Sequence, residues 1–197
     1  MTDLSAYHAR LPYGQRLSAE PVLGGPFFPF DGDVRVRPLD EPVVPEPPRI
    51  GAPGGAPCNL CAEPDTHLIW RDETWLLHAG FQPIGLPMLA LLSTRRHLTL
   101  RSMPPDVAAG LGPVIQRIAL AVERIEGVGR AHFSRWGDGG QHFHVWFLAR
   151  PLGMMQLRRP MLAVWNDLLP KIPDDEFEAN KRTVAAALAE TGGRALV

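Results

Sequence analysis

Gln141-His142-Phe143-His144-Val145-Trp146-Phe147-Leu148 is the stretch that leaves this chain the least freedom. It follows the run Trp136-Gly137-Asp138-Gly139-Gly140. Glycines succeeded by aromatic and β-branched residues read as a turn feeding a strand. Successive strand side chains point to opposite faces, so Phe143, Val145 and Phe147 share a wholly apolar face that must be core. His142, His144, Trp146 and Leu148 share the other. Two histidines on one face sit ~7 Å apart along the backbone. That spacing lets them serve one site in different roles, as metal ligand, acid/base or nucleophile.

The rest of the chain narrows the setting. With 197 residues, one main domain of about 150 residues plus an appendage is expected. A net charge of −1 argues against nucleic-acid or membrane binding driven by bulk charge. No run approaches the ~20 apolar residues of a spanning helix. Met1-Thr2-Asp3-Leu4-Ser5 does not begin a signal peptide, and the expectation is a soluble cytoplasmic protein. Two cysteines do not make a disulfide-stapled secreted domain.

Residues 1–57 are dense in proline and glycine, as in Glu41-Pro42-Val43-Val44-Pro45-Glu46-Pro47-Pro48, and long helices are not expected there. Pro26-Phe27-Phe28-Pro29-Phe30 is too aromatic to stay wet, and Val34-Arg35-Val36-Arg37 alternates like a short edge strand. The stretch reads as an extended arm packed on the domain. From Cys58 the pattern is α+β. His67–Arg71 and Thr74–Ala79 read as short strands, and Met88–Ser93 as a central strand ending in Thr94-Arg95-Arg96-His97. Pro104 and Pro105 open a helix whose stripe is Val107, Leu111, Val114, Ile115, Ile118, Val122 and Ile125, with Pro113 kinking or restarting it. Arg130–Trp136 then forms a hairpin with the histidine strand. A helix over 154–169, interrupted by Pro160, and another from Pro173 to about Glu190 complete the chain.

Cys58-Asn59-Leu60-Cys61 has the spacing that lets two thiolates grip one metal. No second such pair exists, so further ligands must be histidines or carboxylates. The candidates are His67, His78, His97, His132, His142 and His144. A redox dithiol is the rival reading, although no strand precedes the motif. His67 and His78, taken alone, read as hydrogen-bonded structural histidines.

The order C-x-x-C, apolar strand ending in Arg-His, helix, Gly-Gly-Gln turn, then His142-Phe143-His144-Val145-Trp146-Phe147-Leu148 closing on Arg150-Pro151 resembles the histidine triad (HIT) superfamily of nucleotide hydrolases and transferases. The likeness covers about residues 58–152. Trp146 stands at the third triad position. The resemblance implies a HIT-like antiparallel sheet of about five strands with one main helix, carrying an N-terminal arm (1–57) and a C-terminal helical extension (153–197) packed on the HIT-like domain. It implies His144 as nucleophile on an α-phosphate, and a structural zinc held by Cys58, Cys61, His97 and His142. Gln141, Trp146, Ser134 and Arg150 are the expected substrate contacts, with Arg95 and Arg96 as further cations. The expected activity is hydrolysis or transfer of a nucleotidyl group from a nucleoside phosphoramidate or dinucleoside polyphosphate, by a homodimer. Two other functions compete: a nucleotide-binding protein that keeps the zinc without turnover, and an enzyme whose open zinc activates water.

Overall fold

The computed structural model describes residues 40–197 and, before them, Gly14, Phe28, Phe30, Gly32, Val34 and Pro38. Most of the aromatic cluster at 26–30 and of the alternating run at 34–37 therefore lies outside the described residues. The elements are α1 (Asn59–Ala62), β1 (Leu68–Arg71), β2 (Trp75–Ala79), β3 (Leu89–Thr94), α2 (Pro105–Val122), β4 (Val128–Ser134), β5 (His144–Pro151), α3 (Leu162–Leu168), α4 (Asp174–Ala189) and β6 (Arg194–Ala195). The fold is α+β, and its six strands run in the order β4-β5-β3-β2-β1-β6. Every adjacent pair is antiparallel. About five strands were expected. The sixth is two residues long and pairs Ala195 with Trp70 and Arg194 with Arg71, too short to leave a periodic signal.

The alternation along β5 is realised as written. Phe143, Val145, Phe147 and Ala149 are buried in one core with Trp75, Leu77, Ala90 and Leu92 of the sheet. Val107, Val114, Ile118 and Val122 of α2 and Phe177, Val184 and Leu188 of α4 close that core. The C-terminal helix thus shares the core of the preceding sheet. Pro113 lies within α2 without ending it. Both Pro113 and Ala109, the residue whose carbonyl a proline at 113 cannot serve, are exposed. The helix expected over 154–169 is shorter than that: Met155–Leu157 is only a single 3-10 turn, Arg159 before Pro160 adopts φ 68°, outside the helical region that proline disfavours before it, and α-helix runs only over Leu162–Leu168.

The opposite face of the sheet is covered in part by a second cluster. Leu148 packs there with Leu86, Leu157 and Leu162, and Ile84, Leu89 and Trp146 lie against them. Register then fixes what this face presents. Ser93 is opposite His144, and Leu91 is opposite both Trp146 and His78. No helix among the described residues is long and apolar enough to cross a membrane.

Candidate active site and metal centre

Cys58 and Cys61 straddle the start of α1. The amides of Cys61 and Ala62 both donate to the Cys58 carbonyl at 3.1 and 3.0 Å, and this turn brings the two sulfurs to one side. His97 arrives from the end of β3 and His142 from the entry to β5. Ligand atoms of Cys58, Cys61, His97 and His142 all lie within 4.8 Å of one another. The Cys58 Sγ–His142 Nδ1, Cys61 Sγ–His97 Nδ1 and Cys61 Sγ–His142 Nδ1 separations are 3.4, 3.2 and 3.5 Å. Zinc bonds of about 2.3 Å to sulfur and about 2.0–2.1 Å to nitrogen set tetrahedral edges of about 3.3–3.8 Å. Two sulfurs and two imidazoles at these spacings fit a structural zinc site.

The ring of His142 is prepared for that role. Its Nε2–H donates to the Thr94 carbonyl at 2.8 Å, with the Thr94 hydroxyl oxygen also 3.1 Å away. That hydroxyl donates to the Arg96 carbonyl at 2.8 Å. With Nε2 carrying the proton, Nδ1 presents its lone pair toward the sulfurs, as a ligating histidine requires. Burial lowers the His142 pKa, only partly offset by the Thr94 carbonyl, and keeps the ring neutral. For the Cys61 thiol the tendency is opposite: burial, then the hydrogen bond and charge of Cys58, push it up to about 11. A bound dication reverses that preference, because coordination deprotonates a thiol outright.

Gly51 completes the clamp, and the sequence reading missed it. It sits at φ 82°, and a Cβ there would meet His97 Cε1 at 2.8 Å and Cys58 Cβ at 3.1 Å. Only a residue without a side chain lets the arm lie against the ligands. Next to it, Ile50 bridges to Gly140. The Ile50 amide donates to the Gly139 carbonyl at 3.0 Å, and the Gln141 amide donates to the Ile50 carbonyl at 2.8 Å. Arg49 Nη1 donates to the Gly137 carbonyl at 2.9 Å. The arm therefore ties the metal cluster to the glycine turn.

Two residues past His142, the Nδ1–H of His144 donates to the His142 carbonyl at 2.8 Å. In the neutral ring this leaves the lone pair on Nε2. His144 is half-buried and walls a cavity of about 160 Å³ with Ile50, Leu60, Gly140 and Trp146. A larger cavity of about 460 Å³ adjoins it and shares Asn59, Leu60, Leu91 and Trp146. Trp146 meets the His144 ring edge-on, with centroids 6.3 Å apart.

The remaining expected contacts separate. Ser134 lies opposite Trp146 and so shares its face. Gln141 contributes its backbone to the arm bridge. Arg150 is six residues beyond His144, about 20 Å along the strand at ~3.3 Å per residue. Its Nη1 donates to the Pro151 carbonyl at 2.9 Å and its side chain is buried, which removes it from the site. Arg95 faces Glu73 at 3.6 Å on an exposed surface. His78 is a satisfied buried histidine, as the residue alone suggests: its ring nitrogens lie 3.1 Å from the Thr66 carbonyl and 3.3 Å from Ser93 Oγ.

No family model matches the chain, and no curated protein matches it. Solved structures do. A hypothetical histidine triad nucleotide-binding protein from Sulfolobus tokodaii is 14% identical, with 68% of this chain and 93% of that chain covered and a TM-score of 0.49. A zinc-bound histidine triad family protein from Mycobacterium smegmatis is 25% identical, over 68% of this chain and 94% of that one, with a TM-score of 0.45. A uridylyltransferase mutant is 16% identical over 68% of this chain and 48% of its own, with a TM-score of 0.49.

Proposed function

We propose that this chain, a divergent member of the histidine triad superfamily, binds a nucleotide and transfers or hydrolyses its nucleotidyl group through His144. The observation that carries the reading is the ring of His144: one nitrogen is committed to the carbonyl of His142, and the ring itself walls a cavity. The neighbouring His142 belongs to the four-donor cluster. In the first step Nε2 attacks the α-phosphorus, a P–N bond forms, and the leaving group departs with the electron pair of its bond. Water then cleaves the P–N bond and frees the nucleotide. The hydrogen bond from Nδ1–H fixes the tautomer and stabilises the charge that develops on the ring.

Cys58, Cys61, His97 and His142 would hold the zinc, which supplies a fixed crosslink between α1, the end of β3 and the entry to β5. Four protein donors would close the coordination sphere, the pattern of a structural site, and this argues against the reading in which an open zinc activates water. Trp146 supplies an aromatic face and one N–H donor to the substrate. Gln141 and Ser134 flank it in sequence or register and complete the proposed contacts. A homodimer belongs to the same reading: among the described residues β4 ends the sheet on one side, with Phe133 and Trp136 exposed beside that edge.

A second reading has one observation in its favour. Trp146 walls both cavities at the triad's third position, where its bulk suits a binding protein without turnover. Incubation with the p-nitrophenyl ester of AMP separates the two, because this leaving group departs without a proton. The enzyme reading expects a burst of p-nitrophenolate and a nucleotidyl group trapped on His144. Binding of AMP with neither burst nor adduct supports the binder.

A further inference from the structure

We propose that the larger cavity reads the base of the nucleotide through Glu63, and that the base it prefers is guanine. The inference rests on the His144 reading above and names the base which that reading leaves open. The two cavities share Leu60, Leu91 and Trp146. A phosphate at His144 therefore leaves its nucleoside the adjoining cavity of about 460 Å³, a size ordinary for small-molecule sites. That cavity runs across the sheet from Trp146 on β5, over Leu91 on β3 and His78 on β2, to His67 beside β1. Three strand spacings of ~4.8 Å make ~14 Å, a span comparable to an extended nucleoside monophosphate.

The far end of the cavity fits a base. Phe81 is 80% exposed on its wall and meets the His67 ring edge-on, with centroids 4.9 Å apart, which leaves an aromatic face for a ligand. His67 reaches that position at φ 54°, a left-handed conformation that residues with side chains adopt rarely and that clusters at ligand sites. Stacking is blind to identity, because every base has a π face. The choice falls to the polar groups. Asn59 and Gln82 carry carboxamides, each with a donor side and an acceptor side, and these turn to suit any base. His67 presents either function by its tautomer. Glu63 is the only acidic residue lining the cavity among the described residues, and a carboxylate only accepts. The Thr66 hydroxyl donates to Glu63 Oε2 at 3.1 Å and orients it. Guanine presents two adjacent donors, N1–H and the 2-amino group, which pair with the two carboxylate oxygens. Adenine and cytosine set a ring-nitrogen lone pair beside their amino group, which a carboxylate repels, and uracil sets its N–H between two carbonyls. The same group thus attracts one base and rejects three.

The test compares the p-nitrophenyl esters of GMP, IMP, AMP and UMP as labels of His144 in the full-length zinc-loaded chain, wild type and Glu63→Gln. The base lies away from the reacting phosphorus. Its contacts therefore act on the ester concentration that gives half-maximal labelling, and the wild-type maximal rate stays similar across the four esters. One two-point base contact sets an expected preference of about 10–100-fold for GMP over AMP and UMP. IMP, which lacks the 2-amino group, falls between. Glu63→Gln keeps an acceptor for Thr66 and should remove most of the preference at unchanged zinc content. Should that variant fail to fold, the order GMP, IMP, AMP in the wild type decides. Equilibrium binding of GMP and AMP gives the same comparison without chemistry. Equal half-saturation by GMP and AMP in the wild type, or a preference undiminished in Glu63→Gln, overturns the inference and leaves His144 as nucleophile. Absence of an adduct from every ester overturns the His144 reading, and the binding comparison then decides the base alone.

Discussion

The two faces of β5 come from the same residues in alternation, yet they are held in place by different forces. Phe143 and Phe147 are fully buried on one face, and their position is set by packing against two helices. On the other, His142 and His144 are set by a carbonyl each, Thr94 for the first and His142 for the second, and His142 also by the metal cluster. Packing is non-directional and tolerates repacking. Hydrogen bonds and metal bonds are directional, and they aim one ring nitrogen. The packed face gives stability, and the polar face gives aim. Substitutions on the two should therefore fail differently.

The largest separation is expected at His144. His144→Ala abolishes adduct formation, while thermal unfolding and zinc content stay close to wild type; mass spectrometry and metal analysis read both. Cys58→Ser comes next. It removes one of four zinc ligands, and structural zinc in small peptides contributes about 10–16 kcal/mol of apparent binding free energy. Stoichiometric zinc should be lost, and hydrogen exchange at 141–144 should accelerate while α2 and α4 remain protected. Phe147→Ala tests the other face. It should cost about 3–5 kcal/mol in chemical denaturation, with zinc affinity in the folded state unchanged. Thr94→Val is smaller: it removes the hydroxyl beside His142 and should weaken zinc by at most the ~10–100-fold typical of supporting contacts, read by chelator competition.

The smallest effect is on pH. Burial lowers the pKa of His78 relative to the free side chain, with the Thr66 carbonyl opposing in part. Below about pH 6.5 the unfolded chain takes up a proton that the folded chain refuses. Stability is therefore full above that pH and declines as pH falls through the window down to the lowered folded value. His78→Leu should flatten the decline in melting temperature between pH 7 and pH 5. An unchanged slope would assign the effect to His142 and His132, which burial also lowers.

What the sequence made legible was whatever depends on short-range order. The alternation of β5, the C-x-x-C turn and the strand leading to His97 are local patterns, and the α+β class follows from them; the two-residue sixth strand left no such signal, and it was the family resemblance, not spacing, that selected His97 and His142 from six candidate histidines. The contacts that tune the site were hidden because they join residues distant in sequence. Thr94 meets His142 across 48 positions, and nothing in a threonine at a strand end announces that. Gly51 was one glycine among 19 until its missing side chain proved to face His97. Arg150 misled because closeness to the motif in sequence is distance along an extended strand: what lies six residues away on β5 is out of reach.

The central claim is that a four-donor clamp aims His144 at phosphorus. It is met most directly by the intact mass of the zinc-loaded full-length chain after brief exposure to the p-nitrophenyl ester of AMP, with the modified residue mapped by fragmentation. The account predicts one nucleotidyl group, on His144, and its loss when zinc is stripped. A fully zinc-loaded chain that stays unmodified, or carries the group on another residue, contradicts it.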